Sequence, residues 1–373
     1  MPIEIVGGMV SPHPGAEGTV RAAPGGNRPA FDTDYITRFV RAHEAAGFDT
    51  ALVGYGATSV DGFAVASHAL HVTDRLGVLI AHRPGFAQPT LVARKLATLD
   101  NLTGGGRVAV HFITGGDEAD QHRDGDFVAH DDRYRRTAEY MTVLRRTLTE
   151  DEPFDHEGEF YRFDGAYSVV KPVTAAGIPL YFGGASGPAL AAGAQNADVY
   201  MLWGEPLGPI AERIAQVRAA AAGYGRSPRF SISLRPILGE TEEAAWARAQ
   251  QIGDQTEERV KGRDFSAPGA RRNNSSVGAA RLRAFADEGD VLDERLWMRV
   301  ARLTGSGGNS TALVGTAEQV ADALLAYIRL GISTVLIRGF DPLGDAVDYG
   351  RELIPRLREA TRDFEPHQEF AVS

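Results

Sequence analysis

The run Leu180-Tyr181-Phe182-Gly183-Gly184-Ala185-Ser186 has the residue types of an anion site. A short apolar stretch breaks into two glycines and a serine, then opens an alanine-rich helix. The first turn of a helix carries unpaired backbone N–H groups and a partial positive charge. Glycines let the backbone come close to an anion, and Ser186 adds a hydroxyl. Together they suit a phosphate, and hence a phosphorylated cofactor. The same pattern arises wherever a tight strand-to-helix turn needs glycine. A second group, His130-Asp131-Asp132-Arg133-Tyr134, opens a long helical pattern. His130 and Tyr134 are four apart and share one face, from which both can reach a phosphate or ribityl chain; a helix cap with a half-buried aromatic is the alternative.

The elements that must position these residues alternate regularly. Strands are predicted at Ile3–Val6, Thr50–Val53, Leu76–Ala81, Arg107–Thr114, Leu180–Phe182, Val199–Trp203, Phe230–Leu234 and Thr334–Ile337. Helical patterns fall near 34–46, 62–72, 89–102, 131–148, 188–195, 208–221, 242–255, 317–330 and 345–361, with a small hairpin over 153–171. Eight strands alternating with helices predict an α/β fold, a TIM (β/α)8 barrel with insertions, with a doubly wound open sheet as the alternative. We expect a single domain over 1–373. The segment 257–310 does not fit the repeat and reads either as a mobile basic lid or as a solvated insertion.

Barrel enzymes keep their sites at the strand ends. Those ends supply Ser11 and His13; Thr58, Ser59 and Asp61; His82 and Arg83; His111, Thr114, Gly115 and Gly116; Gly183, Gly184 and Ser186; Trp203 and Glu205; Ser233 and Arg235; and Arg338, Phe340 and Asp341. Arg235 could clamp an anion or serve a structural ion pair. Trp203 could wall a planar ring or belong to the core. Asp61 reads as a helix cap or a base. His82 and His111 sit on different strands without metal-ligand spacing, so no metal site is expected.

Bulk properties narrow the class. The 373 residues carry a net charge of −10, which argues against a general nucleic-acid or anionic-membrane surface. The absence of cysteine excludes disulfides, thiolate nucleophiles and thiolate metal sites. No long apolar run or leader-like segment is present, so a cytoplasmic protein is expected.

Several separated motifs occur in order: Arg83-Pro84; Gln88-Pro89-Thr90-x-x-Ala93-Arg94-x-x-Ala97-Thr98-Leu99-Asp100; Thr114-Gly115-Gly116; His130-x-x-Arg133-Tyr134; Leu180 to Gly184; Trp203-Gly204-Glu205-Pro206; and Thr311 to Gly315. This set resembles the bacterial luciferase-like flavin monooxygenases, and most of all their alkanesulfonate monooxygenase branch. The resemblance implies a dimeric or tetrameric TIM-barrel enzyme. It implies reduced FMN delivered by an NAD(P)H-dependent flavin reductase, O2 as co-substrate, and a flavin peroxide that attacks a small molecule. It assigns His111, Thr114, His130, Tyr134, Gly184, Ala185 and Ser186 to the FMN, with Ser186 at the phosphate. It also implies a non-prolyl cis peptide near Ala81-His82 and a mobile lid over 257–310.

The substrate side departs from that branch. Where desulfonating members have Arg-x-His on strand seven, a lid Arg and a Tyr after strand eight, this chain has Ser233-Leu234-Arg235, Thr304 and Phe340, and Ser59 replaces a strand-two Cys of some members. Arg235, His82 and Ser59 are the catalytic candidates. Trp203, Arg235 and Phe340 are the substrate-binding ones, with Arg302 or Arg338 as a second cation. The expected substrate is a small organosulfur compound or another small polar or anionic organic molecule. A deazaflavin-dependent dehydrogenase and a non-catalytic flavin-binding homologue are the alternatives.

Overall fold

Cap residues decide where the helices begin. Asp32, Asp61, Asp117, Ser186, Ser276, Thr316 and Asp341 each accept a backbone N–H of the following turn. The computed structural model describes residues 3–10, 31–115, 117–261, 276–306 and 310–363. Ser11, His13 and Gly116, together with 262–275 and 307–309 of the expected lid, lie outside the described residues.

In chain order the elements are β1 (Glu4–Val10), α1 (Thr33–Ala45), β2 (Thr50–Val53), α2 (Gly62–His71), β3 (Gly77–His82), α3 (Pro89–Leu102), β4 (Val108–Phe112), α4 (Glu118–Arg123) and α5 (His130–Thr149). The hairpin β5 (Phe154–Glu157) and β6 (Arg162–Ala166) precedes β7 (Leu180–Gly183), α6 (Gly187–Asn196), β8 (Val199–Trp203) and α7 (Leu207–Ala222). Then come β9 (Arg229–Leu238), α8 (Glu242–Lys261), α9 (Val277–Glu288), β10 (Val291–Leu292), β11 (Leu296–Trp297) and α10 (Arg299–Thr304). The chain continues through β12 (Ala312–Gly315), α11 (Ala317–Arg329), β13 (Ile332–Ile337), α12 (Pro342–Asp348), a π-helical turn (Tyr349–Leu353) and α13 (Ile354–Ala360).

The hydrogen-bonded order β9-β13-β1-β2-β3-β4-β7-β8, with β8 also pairing with β9, closes an eight-stranded barrel of the TIM type. β9 outgrows its barrel role: its C-terminal half pairs in parallel with β12, which continues antiparallel into β11 and β10. Three features were not visible in the sequence pattern. α4 is only six residues long. β10 and β11 are two residues each. The expected 345–361 helix is interrupted at its centre, where Pro355 has no N–H to give to a helical carbonyl and the preceding turn widens to π geometry.

The chain divides into two compact units: 1–51, 201–216 and 229–373 form one, and 52–200 with 217–228 the other. In the first, a Cβ on Gly7 would meet His43 of α1 at 2.4 Å, so that face of β1 is turned to the helices. Alternation puts Glu4 on the opposite face, where it accepts from Thr334 at 3.0 Å. The register Thr334↔Ser231 and Leu336↔Ser233 then places Ser231, Ser233 and, two residues on, Arg235 on that same interior face. In the second unit, Val143, Phe154 and Ala166 form a small core that fastens the β5–β6 hairpin to α5.

Candidate active site

The anion-site candidate is built in the second unit by the turn from β7 to α6. Ser186 caps α6, its hydroxyl accepting from Ala189 N at 3.3 Å. A Cβ on Gly184 would lie 2.4 Å from the Ala189 Cβ, so only glycine lets the strand end pass this close to the helix. The Gly184 carbonyl accepts from the Tyr200 hydroxyl at 2.7 Å, which pins the turn. Tyr134 shares a hydrogen bond with Ser186, and burial raises its pKa, so the phenol stays protonated. Its ring meets Phe182 edge-on at 6.4 Å and His130 at 5.1 Å. Tyr134, Gly184 and Ser186 therefore meet at this turn, with Ala185 between the last two and the His130 ring edge-on to Tyr134. Two hydroxyls, a histidine and the positive end of α6 are the groups that suit a phosphate.

A buried polar scaffold holds the approach to this turn. Arg133 donates to the carbonyl of Val128 at 2.6 Å. Arg136 pairs with Asp126 at 2.5 Å and donates to Pro84 O at 3.1 Å. Gln121, fully buried, donates to Thr114 O at 2.9 Å. The Thr114 hydroxyl lies 3.2 Å from that of Thr137 on α5. Sequence reasoning missed the companion cluster around α4: Arg83 pairs with Asp120 at 2.6 Å and Asp124 at 3.5 Å, its guanidinium lies 4.6 Å from the Tyr55 ring centroid, and Tyr55 donates to Asp124 at 2.6 Å. The signal was available in Asp117, which caps α4 ahead of Glu118.

The two strand histidines part company. His111 is paired across from Ala81 and Tyr181, on the face away from the helices, and burial lowers its pKa to about 4, so it is neutral at ordinary pH. His82 is paired with Phe112 on the other face. Its Nε2 is 2.8 Å from the Tyr140 hydroxyl of α5, and it is only 6% exposed. Expected as a catalytic group, His82 is instead a core histidine, because strand alternation turns it toward the helix layer. The expected cis peptide at Ala81-His82 is also corrected: no cis bond occurs among the described residues. The trans chain keeps the β3–β4 ladder going, with Ile113 N donating to His82 O at 2.9 Å. Ser59 is exposed in the turn after β2, its backbone N bonded to Gly56 O at 2.8 Å.

The substrate candidates sit in the first unit. Arg235 is 1% exposed; it donates to Gly339 O at 2.9 Å, and its guanidinium stacks over Phe340 at 4.0 Å. Asp345 fixes the Phe340 loop, accepting from Phe340 N at 2.7 Å and Asp341 N at 3.0 Å, and pairs with Arg248. Arg302 pairs with Asp290. Thr304 donates to Val300 O at 2.7 Å within its own helix. Trp203, at the end of β8, packs against Gly278 of α9.

Comparison with known proteins agrees with this architecture. The riboflavin lyase RcaE, solved with modified FMN and riboflavin, is 22% identical with a TM-score of 0.75, over 96% of this chain and 92% of its own. DmoA from Hyphomicrobium sulfonivorans is 22% identical with a TM-score of 0.74, over 96% and 89%. The EDTA monooxygenase EmoA from Chelativorans sp. BNC1 is 18% identical with a TM-score of 0.74, over 98% and 96%. An F420-dependent secondary alcohol dehydrogenase shares the fold at a TM-score of 0.66 and 17% identity, over 96% of this chain and all of its own. The family model for luciferase-like monooxygenases matches residues 8–334, and with that match over most of its length the chain belongs to the luciferase-like monooxygenase family.

Proposed function

We propose that the protein is a two-component flavin monooxygenase. It would take reduced FMN from a separate NAD(P)H-dependent flavin reductase and use it with O2 on a small organic substrate with a polar or anionic head, an alkanesulfonate-like organosulfur compound foremost. The observation that carries this reading is the cradle of Gly184, Ser186 and Tyr134 at the start of α6, in a chain of this family. When bound, reduced FMN supplies the two electrons with which O2 is activated.

The chain's own residues do the rest. Ser186, Tyr134, His130 and the backbone from Gly184 to Gly187 would hold the phosphate, the cation-like helix end favouring the anion. His111, neutral and on the interior face, offers one donor and one acceptor without a competing charge. The buried guanidinium of Arg235 would bind the anionic head, and Phe340 would orient that guanidinium by stacking. Trp203 would border the apolar part of the substrate. Arg235 and Ser59 are the catalytic candidates that remain. Assembly as a homodimer or homotetramer belongs to the same reading.

Anaerobic titration with reduced FMN, followed by O2 uptake and sulfite release with 1-alkanesulfonates and a flavin reductase, tests the proposal. Saturable FMN binding and substrate-dependent turnover are expected. Tight binding of F420 with no O2 uptake in the presence of reduced FMN would replace it with the dehydrogenase reading. FMN binding without turnover of any candidate substrate would favour a non-catalytic flavin-binding protein.

A further inference from the structure

The first turn of α9 is seated directly on Trp203. A Cβ on residue 278 would stand 2.9 Å from Cζ3 and 3.1 Å from Cε3 of the indole, so glycine alone leaves the ring where it is. Glycine is otherwise unfavourable inside a helix. Its presence one residue into α9 is explained by this contact and by no turn, because its backbone is helical.

The helix cannot retreat to make room. One turn on, Arg281 grips Glu205 through two hydrogen bonds, Nε to Oε1 at 2.9 Å and Nη2 to Oε2 at 2.5 Å. Glu205 is itself buried, and its carbonyl accepts from the Tyr327 hydroxyl of α11 at 2.9 Å. Ala279, Leu282 and Ala286 bury the adjoining face of α9. A planar, bidentate Arg–carboxylate pair of this kind resists displacement. When the contact is crowded, the half-buried indole is therefore the part that moves.

We propose that the first turn of α9 is a fixed wall of the substrate pocket, in which Gly278 sets the position of the Trp203 indole and so the length of substrate chain that is accepted. This rests on the reading that Trp203 borders the substrate.

Two measurements on the full-length protein test it. The first needs no substrate: acrylamide quenching of the Trp203 fluorescence, isolated as the difference from the Trp203→Phe variant. Gly278→Ala is expected to change that component while leaving the melting temperature at or above that of the wild type. In an Arg281→Gln background the change is expected to shrink, since the helix can then yield instead. The second is steady-state kinetics with reduced FMN, its reductase, O2 and straight-chain 1-alkanesulfonates of increasing length. Gly278→Ala is expected to shorten the preferred chain and to raise KM about tenfold for each methylene that no longer fits, with KM changed more than kcat. A Trp203 component and a length profile both identical to the wild type would overturn the proposal. If the wild type turns over no alkanesulfonate, the sulfonate reading fails and the quenching result alone decides whether Gly278 positions the indole.

Discussion

Acidification from about pH 7.5 to about pH 5 is expected to remove about 4 kcal/mol of folding stability through two buried histidines alone. His43 is 2% exposed, stacks on Phe39 at 4.1 Å and has Nδ1 2.9 Å from the Phe39 carbonyl; burial lowers its pKa from 6.5 to about 4. His82, packed between β3 and α5, is lowered to about 3 by burial and then by Lys95. Both are neutral when the protein is folded. Below 6.5 the unfolded chain binds protons that the folded chain refuses, so the unfolded state is favoured as the pH falls. The contribution is fully present above 6.5 and is lost progressively down to the folded values. At about pH 5 the gap is about 1.5 units, or about 2 kcal/mol for each histidine. Urea unfolding at the two pH values measures it. His43→Leu removes one titrating group while filling the space beside Gly7, and His82→Gln keeps a partner for Tyr140. Each should flatten the pH dependence by about 2 kcal/mol, and the double variant by about 4. If both single variants lose as much stability on acidification as the wild type, the histidines are not the cause and the reasoning is wrong.

Other substitutions test the site directly. Ser186→Ala removes the α6 cap and one anion contact; it should cost about 1 kcal/mol in thermal unfolding and weaken reduced FMN binding about tenfold in anaerobic titration. Asp120→Asn leaves Arg83 buried beside a neutral amide, with Asp124 as the more distant carboxylate, and should destabilise the protein by about 3 kcal/mol in a melt. Arg235→Met preserves contact with Phe340 but removes the cation. KM for an alkanesulfonate should rise about a hundredfold with kcat changed far less, and an unchanged KM would remove Arg235 from the substrate.

Local chemistry decided much of the architecture before any tertiary contact. Strand β2 and helix α3 lie where β-branched runs, Pro89 and the 3.6-residue apolar period put them. Asp61 proved to be a cap, its carboxylate accepting from Ala64 N at 2.8 Å, and the same local rule placed Ser186 at the head of α6. The Gly183-Gly184 turn was legible because close approach to a helix leaves a glycine signature. What the pattern could not show were elements too short to display a period, such as α4, β10 and β11.

The sequence by itself determined the alternation of strands and helices, the capped start of α6, and the residue types from which an anion cradle can be made, because each depends on neighbours a few positions away. Only the tertiary structure decided which way the strand-end residues face. His82 and His111 look equivalent along the chain, yet the β3–β4 register sends one to Tyr140 in the helix layer and leaves the other on the interior face. Likewise Arg235 finds Phe340, and Gly278 finds Trp203, across separations of about a hundred and about seventy-five residues. Side-chain direction follows from strand pairing, and strand pairing joins parts of the chain that no local signal connects.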